Sequence, residues 1–450
     1  LAYVKNTEVT IDSVAYVTGS VFGSGENGHV RKDTKVTVNA GTGTLSNAIT
    51  GVSENLPVIG YPLRADEMVE NVLNPVVVYR GNVYGGGRGI DHTNTNALSL
   101  TAGVVLGNTT TEINGGTVHH NVYGGGSLAS VGTATRNASG DILDIELGTG
   151  TATVTVKGNA VIGTKGTVTV DGTAHTRGGF NNGQVYGSGR GVAGAAATQY
   201  VDMAYADNTY VIIGGTEATD DPEILGSVFG GGSNGHVKET THVTMYSGTV
   251  GTTRATGETP ESSEIYRGNV YGGGRGIDHT DGDHLSETAG AVKGNSNVTV
   301  NGGVVNATGG MWGAGIGGAG NVGAGVITIN GGEVHAMAGS SGGSAAGIGA
   351  GGVEITDPMS SDGGSVTING GPVDSAGPSY GAGIGAANTA TQGKGRATNV
   401  TVTGGTVSAT GGTAGVGIGG AYMDGGTVAI RGGTVTATGG ASGTDIQAAA

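Results

Sequence analysis

The sequence contains no cysteine, and only 12% of its 450 residues are charged. The absence of cysteine excludes disulfide frameworks and cysteine-ligated metal centres, and the low charge excludes the highly charged kind of disorder. Only 20 Lys and Arg accompany 35 Asp and Glu, giving a net charge of −15. The chain therefore lacks the basic surface of a nucleic-acid binder. Its apolar runs are far shorter than the roughly 18 residues of a membrane helix, so we also expect no membrane insertion.

Glycine, in contrast, is abundant: 98 residues are glycine and only 8 are proline. Collagen would need glycine at every third position together with abundant proline, and neither is present. The glycines lie instead in internal repeats. Residues 79–93 (YRGNVYGGGRGIDHT) recur unchanged at 266–280, and residues 19–30 return with two changes at 226–237. Repetition of this kind is typical of solenoid architectures.

Two repeat styles follow one another along the chain. Up to residue 295 the motif is Val-aromatic-Gly-(Gly/Ser)-Gly, and from residue 296 short strand-turn signatures such as ITINGG at 327–332 alternate with GAGIGG-like segments. We therefore divide the chain into residues 1–295 and residues 296–450, as two continuous parts of one solenoid. The aromatic residues of the first motif are Phe22, Tyr84, Tyr123, Tyr186, Phe229 and Tyr271.

The strand segments are short and rich in Val, Ile and Thr, and each ends in glycines that allow the chain to turn. A single unit of this size cannot bury its apolar face alone, whereas stacked units can, with each strand parallel to its equivalent one coil away. The predicted fold is an all-β, right-handed parallel β-helix with irregular coil lengths. Residues 56–75 add an insertion in which Ala65, Met68, Val69, Val72 and Leu73 follow helical spacing, so we predict one short helix there.

VYGGGRG, VFGGGSNGHV and the INGG and GAGIGG segments resemble the glycine-rich parallel β-helix repeat regions of very large bacterial surface proteins and adhesins. The resemblance covers almost the whole chain and is based on repeats and composition. It implies an extracellular location on the bacterial cell surface and a structural or adhesive role. It transfers no catalytic residues, cofactor or fixed binding site.

Among individual residues, the glycine triplets are interpreted as tight corners where neighbouring coils approach closely. These triplets are Gly85, Gly86 and Gly87, and Gly272, Gly273 and Gly274. The six motif aromatics are expected to stack in the core. Asp278, Asp281 and Asp283 form the sharpest acidic cluster and are the candidate calcium ligands, although a solvated loop is the favoured explanation of them. We expect no other cofactor.

The leading functional hypothesis is a non-catalytic extracellular rod, either a fibre subunit or a segment of a giant surface protein. Its expected partners are further copies of itself, joined end to end, and a glycan or host-surface receptor. Neither terminus carries an evident capping segment, and exposed strand edges recruit other strands. The alternative is a β-helix that binds or cleaves carbohydrate, as a polysaccharide lyase or glycoside hydrolase. Hydrolysis would require two carboxylates about 5–10 Å apart.

Overall fold

The computed structural model describes residues 3–47, 51–60, 68–69, 72–73, 81–89, 102–132, 134–136, 142–145, 149–164, 167–170, 173–176, 183–191, 204–251, 268–275, 290, 292–310, 313–318, 323–339, 344–352, 364–387, 398–420 and 426–440. Every regular element in these ranges is a β-strand. None of these ranges holds a helix long and apolar enough to cross a membrane. The chain forms two compact units: Leu1–His242 with Gly273–Asn295, and Val243–Gly272 with Ser296–Ala450.

The first unit contains three parallel sheets, and in each of them the strands are hydrogen-bonded in chain order. Sheet 1 consists of β2 (Thr7–Ile11), β6 (Thr34–Val38), β13 (Thr109–Ile113), β18 (Ala152–Val156) and β23 (Thr209–Ile213). Sheet 2 consists of β3 (Tyr16–Val17), β9 (Val58–Ile59), β14 (Thr117–Val118), β19 (Val161–Ile162) and β24 (Glu223–Ile224). Sheet 3 consists of β4 (Val21–Phe22), β12 (Val83–Tyr84), β15 (Val122–Tyr123), β22 (Val185–Tyr186) and β25 (Val228–Phe229).

Further strands extend from these coils of the first unit. β1 (Tyr3–Val4) pairs in parallel with β5 (His29–Val30). Four antiparallel hairpins are formed by β7 (Thr44–Ser46) with β8 (Ser53–Asn55), β10 (Met68–Val69) with β11 (Val72–Leu73), β16 (Ala134–Arg136) with β17 (Ile142–Ile145), and β20 (Thr167–Val170) with β21 (Thr173–Thr176). One strand, β26 (Thr241–Met245), includes residues of both units.

The second unit repeats the three-sheet arrangement with its own strands. Its sheet 1 consists of β29 (Ser296–Val300), β32 (Val326–Ile329), β35 (Ser365–Ile368), β38 (Asn399–Val402) and β41 (Val428–Ile430). Its sheet 2 consists of β27 (Thr249–Val250), β30 (Val304–Thr308), β33 (Glu333–Met337), β36 (Pro372–Ala376), β39 (Thr406–Thr410) and β42 (Thr434–Thr438). Its sheet 3 consists of β28 (Val270–Tyr271), β31 (Ile316–Gly317), β34 (Ile348–Gly349), β37 (Ile384–Gly385) and β40 (Ile418–Gly419).

Register is constant from coil to coil in spite of unequal spacing along the chain. Thr299 pairs with Thr328, Thr328 with Thr367, and Thr367 with Thr401. Residues alternate between the interior and the outside as expected for a strand: Ile327 and Ile329 are fully buried, while Val326 beside them is exposed. These sheets confirm the predicted parallel β-solenoid, and its right-handedness stays a prediction.

The predicted helix within 56–75 is wrong where the structure describes this segment. Met68 pairs with Leu73 and Val69 with Val72 in the antiparallel pair β10–β11. The two apolar pairs are separated by two residues, a spacing that fits a hairpin connection as well as a helical stripe. The insertion also begins later than predicted, because β9 is a fully buried strand of sheet 2.

Candidate functional site

The glycine triplet after β12 packs directly against the backbone of neighbouring coils. A Cβ atom on Gly86 would lie 2.9 Å from Gly126 N, and one on Gly85 or Gly87 would overlap a carbonyl oxygen of Gly124 or Gly103. Only glycine avoids these overlaps, so the corner is a backbone-to-backbone contact.

In the equivalent triplet after β28, only the first and third glycines have close neighbours among the described residues. A Cβ on Gly272 would lie 2.6 Å from Ser296 Cβ, and one on Gly274 would overlap Gly290 O. A Cβ on Gly273, in contrast, would meet no heavy atom of the described residues within 4 Å. Among the described residues, the neighbours of the two corners therefore differ although the corner sequences are identical.

A continuous aromatic column runs through the interior of the first unit. Neighbouring rings lie 4.7–4.9 Å apart with interplanar angles of 6–13°. The rings belong to Phe22, Tyr84, Tyr123, Tyr186 and Phe229. Burial raises the pKa of Tyr84 to about 12. The sixth motif aromatic, Tyr271 of the second unit, is also buried, and the residue in register with it on the following coil is Gly317.

A polar ladder that sequence reasoning missed runs beside the aromatic column. The side-chain oxygen of Asn82 accepts a hydrogen bond from Asn121 N at 3.0 Å, that of Asn121 from Gln184 N at 2.9 Å, and that of Gln184 from Ser227 N at 2.7 Å. All four residues are buried. Each precedes a Val-aromatic pair, and the recurrence of Asn or Gln at that position was the available signal.

Buried threonines tie sheet 1 to the glycine corners in the same periodic way. Thr34 Oγ1 donates to Gly85 O and Thr109 Oγ1 to Gly124 O, each at 2.6 Å. Thr209 repeats the contact with Gly230 O at 2.6 Å. These bonds satisfy carbonyl groups at a corner that lacks side chains of its own.

The chemically most distinctive cluster is a buried carboxylate and imidazole pair that no sequence motif indicates. Glu54 Oε2 lies 3.1 Å from His119 Nε2, and both side chains are almost completely buried. Glu54 Oε1 accepts a hydrogen bond from Asn47 Nδ2 at 2.5 Å. His119 Nδ1 lies 3.1 Å from Thr164 Oγ1, which is also 3.3 Å from His119 O.

Tyr16 and His120 lie close enough to the Glu54–His119 pair for their pKa values to be affected by it. Burial, and then the Glu54 carboxylate, raise the pKa of Tyr16. Burial, and then the charge of His119, lower the pKa of His120 to about 3. A narrow cleft beside Glu54 is lined by Ser53, Asn55, Thr117 and Val161. The arrangement binds the β7–β8 hairpin to two successive coils.

The outer surface carries polar contacts between coils. Arg88 Nη1 lies 2.6 Å from Glu26 Oε1, and Lys35 Nζ lies 2.9 Å from Glu112 Oε2. In the second unit an exposed amide ladder follows sheet 1: Asn330 donates to Asn301, Asn369 donates to Asn330, and Thr403 donates to Asn369. The bonds are 2.6–2.8 Å long.

The predicted calcium ligands Asp278, Asp281 and Asp283 lie outside the described residues. Within the described ranges, three or more His, Asp or Glu side chains do not cluster as a metal site. Comparison of the chain with family models, with curated proteins and with solved structures finds no match. Functional conclusions therefore depend on the geometry of the chain itself.

Proposed function

We propose that this chain is a segment of an extracellular structural or adhesive β-solenoid. The observation that supports the proposal is position-for-position parallel pairing on all three sheets of each unit, as in Thr299 with Thr328. Each coil is bound to the next by backbone hydrogen bonds. Side-chain ladders of repeated chemistry reinforce them: stacked rings, buried amides and exposed asparagines.

Such ladders distribute a mechanical load over many equivalent contacts, because each coil interacts mainly with its neighbours. Breaking one coil requires the loss of several parallel hydrogen bonds together with a stacked ring or an inward-facing isoleucine. The loops and hairpins between strands then present groups to a surface receptor without taking part in the ladders. The scaffold and the contact surface are thereby separate parts of the chain.

Single-molecule force spectroscopy tests the mechanical part of this proposal. We expect stepwise unfolding with one or a few coils lost per event. The coil between Ile384 and Ile418 would release about 120 Å of extended chain. Unfolding at negligible force in one smooth extension would contradict a load-bearing role.

Binding of the purified chain to a glycan array and to host-surface proteins tests the adhesive part. Antibody labelling of intact bacterial cells tests the extracellular location, and sedimentation across a concentration series tests end-to-end self-association. A reducing-end assay on acidic and neutral polysaccharides addresses the carbohydrate-cleaving alternative. Steady release of oligosaccharides by the pure chain would replace the structural proposal with an enzymatic one.

A further inference from the structure

The exposed amide ladder of the second unit lies on three Asn-Gly-Gly turns. Asn301, Asn330 and Asn369 each follow the last residue of a sheet 1 strand, and each precedes two glycines. Asn-Gly is the dipeptide in which asparagine converts most readily to aspartate or isoaspartate, because glycine has no Cβ to hinder its backbone nitrogen. The ladder is therefore also a line of chemically labile sites.

This conversion needs only the chain itself and water. The backbone nitrogen of the glycine bonds to Cγ of the asparagine, closing a succinimide ring, and the side-chain nitrogen leaves as ammonia with the proton that the glycine nitrogen loses. Water then breaks one of the two C–N bonds of the ring. Cleavage at Cγ gives aspartate, and cleavage at the backbone carbonyl gives isoaspartate. Because the asparagine side chain must fold back over its own backbone, hydrogen bonds that hold it elsewhere have to break first.

The backbone is arranged in the same way at all three turns. The N–H groups of Asn301, Asn330 and Asn369 each donate to a carbonyl one coil back at 2.7–2.8 Å. The second glycine of each turn has a φ between +81° and +84°. Among the described residues, none accepts a hydrogen bond from the N–H of the first glycine. Differences between the three sites must therefore come from the asparagine side chains.

The side chains differ in the number of ladder bonds that hold them. Asn330 donates to Asn301 and accepts from Asn369, and Asn369 also accepts from Thr403. Asn330 and Asn369 are thus each held by a donated and an accepted bond. Asn301 accepts from Asn330 but donates to none of the described residues.

The ladder ends at Asn301 because the preceding coil has no amide at this position. Asn301 N donates to Met245 O just as Asn330 N donates to Val300 O, so the equivalent residue of the preceding coil is Tyr246. The Tyr246 side chain is exposed and does not accept a hydrogen bond from Asn301. Asn301 is therefore the least restrained asparagine of the ladder.

We propose that Asn301 is a site of spontaneous succinimide formation, and that the ladder protects Asn330 and Asn369 from the same reaction. Each protected asparagine must break one more hydrogen bond than Asn301, which should slow it by about threefold to tenfold. Asn330 and Asn369 are exposed whereas Asn301 is half-buried, so exposure alone predicts the opposite order. Aspartate at position 301 still has an oxygen that accepts from Asn330, and the rest of the ladder stays intact.

Peptide mass spectrometry of the full chain, aged in neutral buffer and sampled over time, tests this proposal. We expect conversion at Asn301 to be about threefold to tenfold faster than at Asn330 and Asn369. Asn27, which precedes Gly28 on an exposed turn outside the ladder, is the internal reference for an unprotected site. Equal rates at the three ladder sites would overturn the proposal. So would conversion at Asn27 with none at Asn301.

Variants of the last rung test whether the ladder itself causes the protection. Asn301→Ala removes the acceptor of Asn330, so Asn330 should react about threefold to tenfold faster while Asn369 keeps its rate. Asn301→Asp retains an acceptor and should leave Asn330 at its wild-type rate. Thr299→Ala is the matched control, because it changes an outward residue of the same strand that makes no ladder bond.

Hydrogen exchange of the strand peptides establishes that each variant retains the fold before the rates are compared. An unchanged rate at Asn330 in folded Asn301→Ala would refute protection by the ladder, as would equal acceleration in Thr299→Ala. If Asn301→Ala does not fold, the order of the three rates in the wild type remains decisive.

Discussion

Replacing Gly86 with alanine should destabilise its coil, whereas the same change at Gly273 should not. The two residues occupy the same position of the identical 15-residue repeats 79–93 and 266–280. A Cβ on Gly86 would lie 2.9 Å from Gly126 N, 3.1 Å from Gly126 Cα and 3.2 Å from Gly125 C. All three atoms belong to the backbone of the next coil. A Cβ on Gly273 meets none of the described heavy atoms within 4 Å.

The loss of stability in Gly86→Ala can be estimated from the displacement that the added methyl group requires. Comfortable contacts need about 3.5–4.0 Å, so the two coils must separate by about 0.5–1 Å at this corner. The hydrogen bond from Gly86 N to Gly125 O, now 3.1 Å, would lengthen beyond a useful distance. Overpacking costs about 1–3 kcal/mol and the hydrogen bond about 1 kcal/mol. The lower conformational entropy of the unfolded alanine variant offsets about 0.4–1 kcal/mol of this loss.

We therefore expect Gly86→Ala to lower local stability by about 1–3 kcal/mol, and Gly273→Ala to be neutral or stabilising by up to about 1 kcal/mol. Local hydrogen exchange is the suitable assay, because a solenoid does not unfold as a single two-state unit. A change of about 1.4 kcal/mol corresponds to a tenfold change in the opening equilibrium. Equal exchange in the two variants would refute the close-approach explanation for Gly86.

Three further predictions concern titration and the outer ladder. Burial raises the pKa of Tyr84 to about 12. The neutral phenol therefore contributes its full stability below about pH 10, and this contribution is lost as the pH rises towards 12. In urea unfolding, Tyr84→Phe should lose less stability at alkaline pH than the wild type. Burial lowers the pKa of His120 to about 3. The neutral imidazole therefore contributes its full stability above about pH 6.5, and this contribution falls as the pH drops towards 3. A His120 imidazole NMR signal that titrates near pH 6.5 would contradict this prediction. In the exposed ladder, Asn330→Asp places a carboxylate against Asn301 Oδ1 and should destabilise the coil of residue 330 by about 1 kcal/mol. Asn330→Thr should lose less stability in thermal unfolding than Asn330→Asp, because Thr403 already donates to Asn369 in this ladder.

The parallel solenoid could be predicted because its physical requirements recur in the sequence. Strand segments such as ITINGG at 327–332 alternate inward and outward residues and end in glycines at a turn. Gly332 there has a φ of +84°, a conformation that favours glycine. The motif aromatics could be recognised as a set for the same reason, because equivalent residues on successive coils face one another.

The hairpins and the Glu54–His119 pair could not be predicted from such patterns. Met68, Val69, Val72 and Leu73 satisfy the spacing of a helix and of a hairpin alike, and only pairing in three dimensions distinguishes the two. Glu54 and His119 are 65 positions apart and belong to no repeat. Their contact depends on how a non-repeated hairpin bends back over a neighbouring coil. Pairings of this kind leave no periodic signal in one sequence.

The constant register has a practical consequence for altering the chain. Contacts between neighbouring coils depend on the strands and not on the length of the connections: Asn108 bonds to Asp33 across 75 positions, while Asn330 bonds to Asn301 across only 29. Doubling the number of residues in a connection costs only about 0.6 kcal/mol of loop-closure entropy. A foreign epitope or small domain grafted into such a connection would therefore leave the register of the strands unchanged. Several different grafts, one per coil of the first unit, would be displayed in a spacing set by the stacking of the strands.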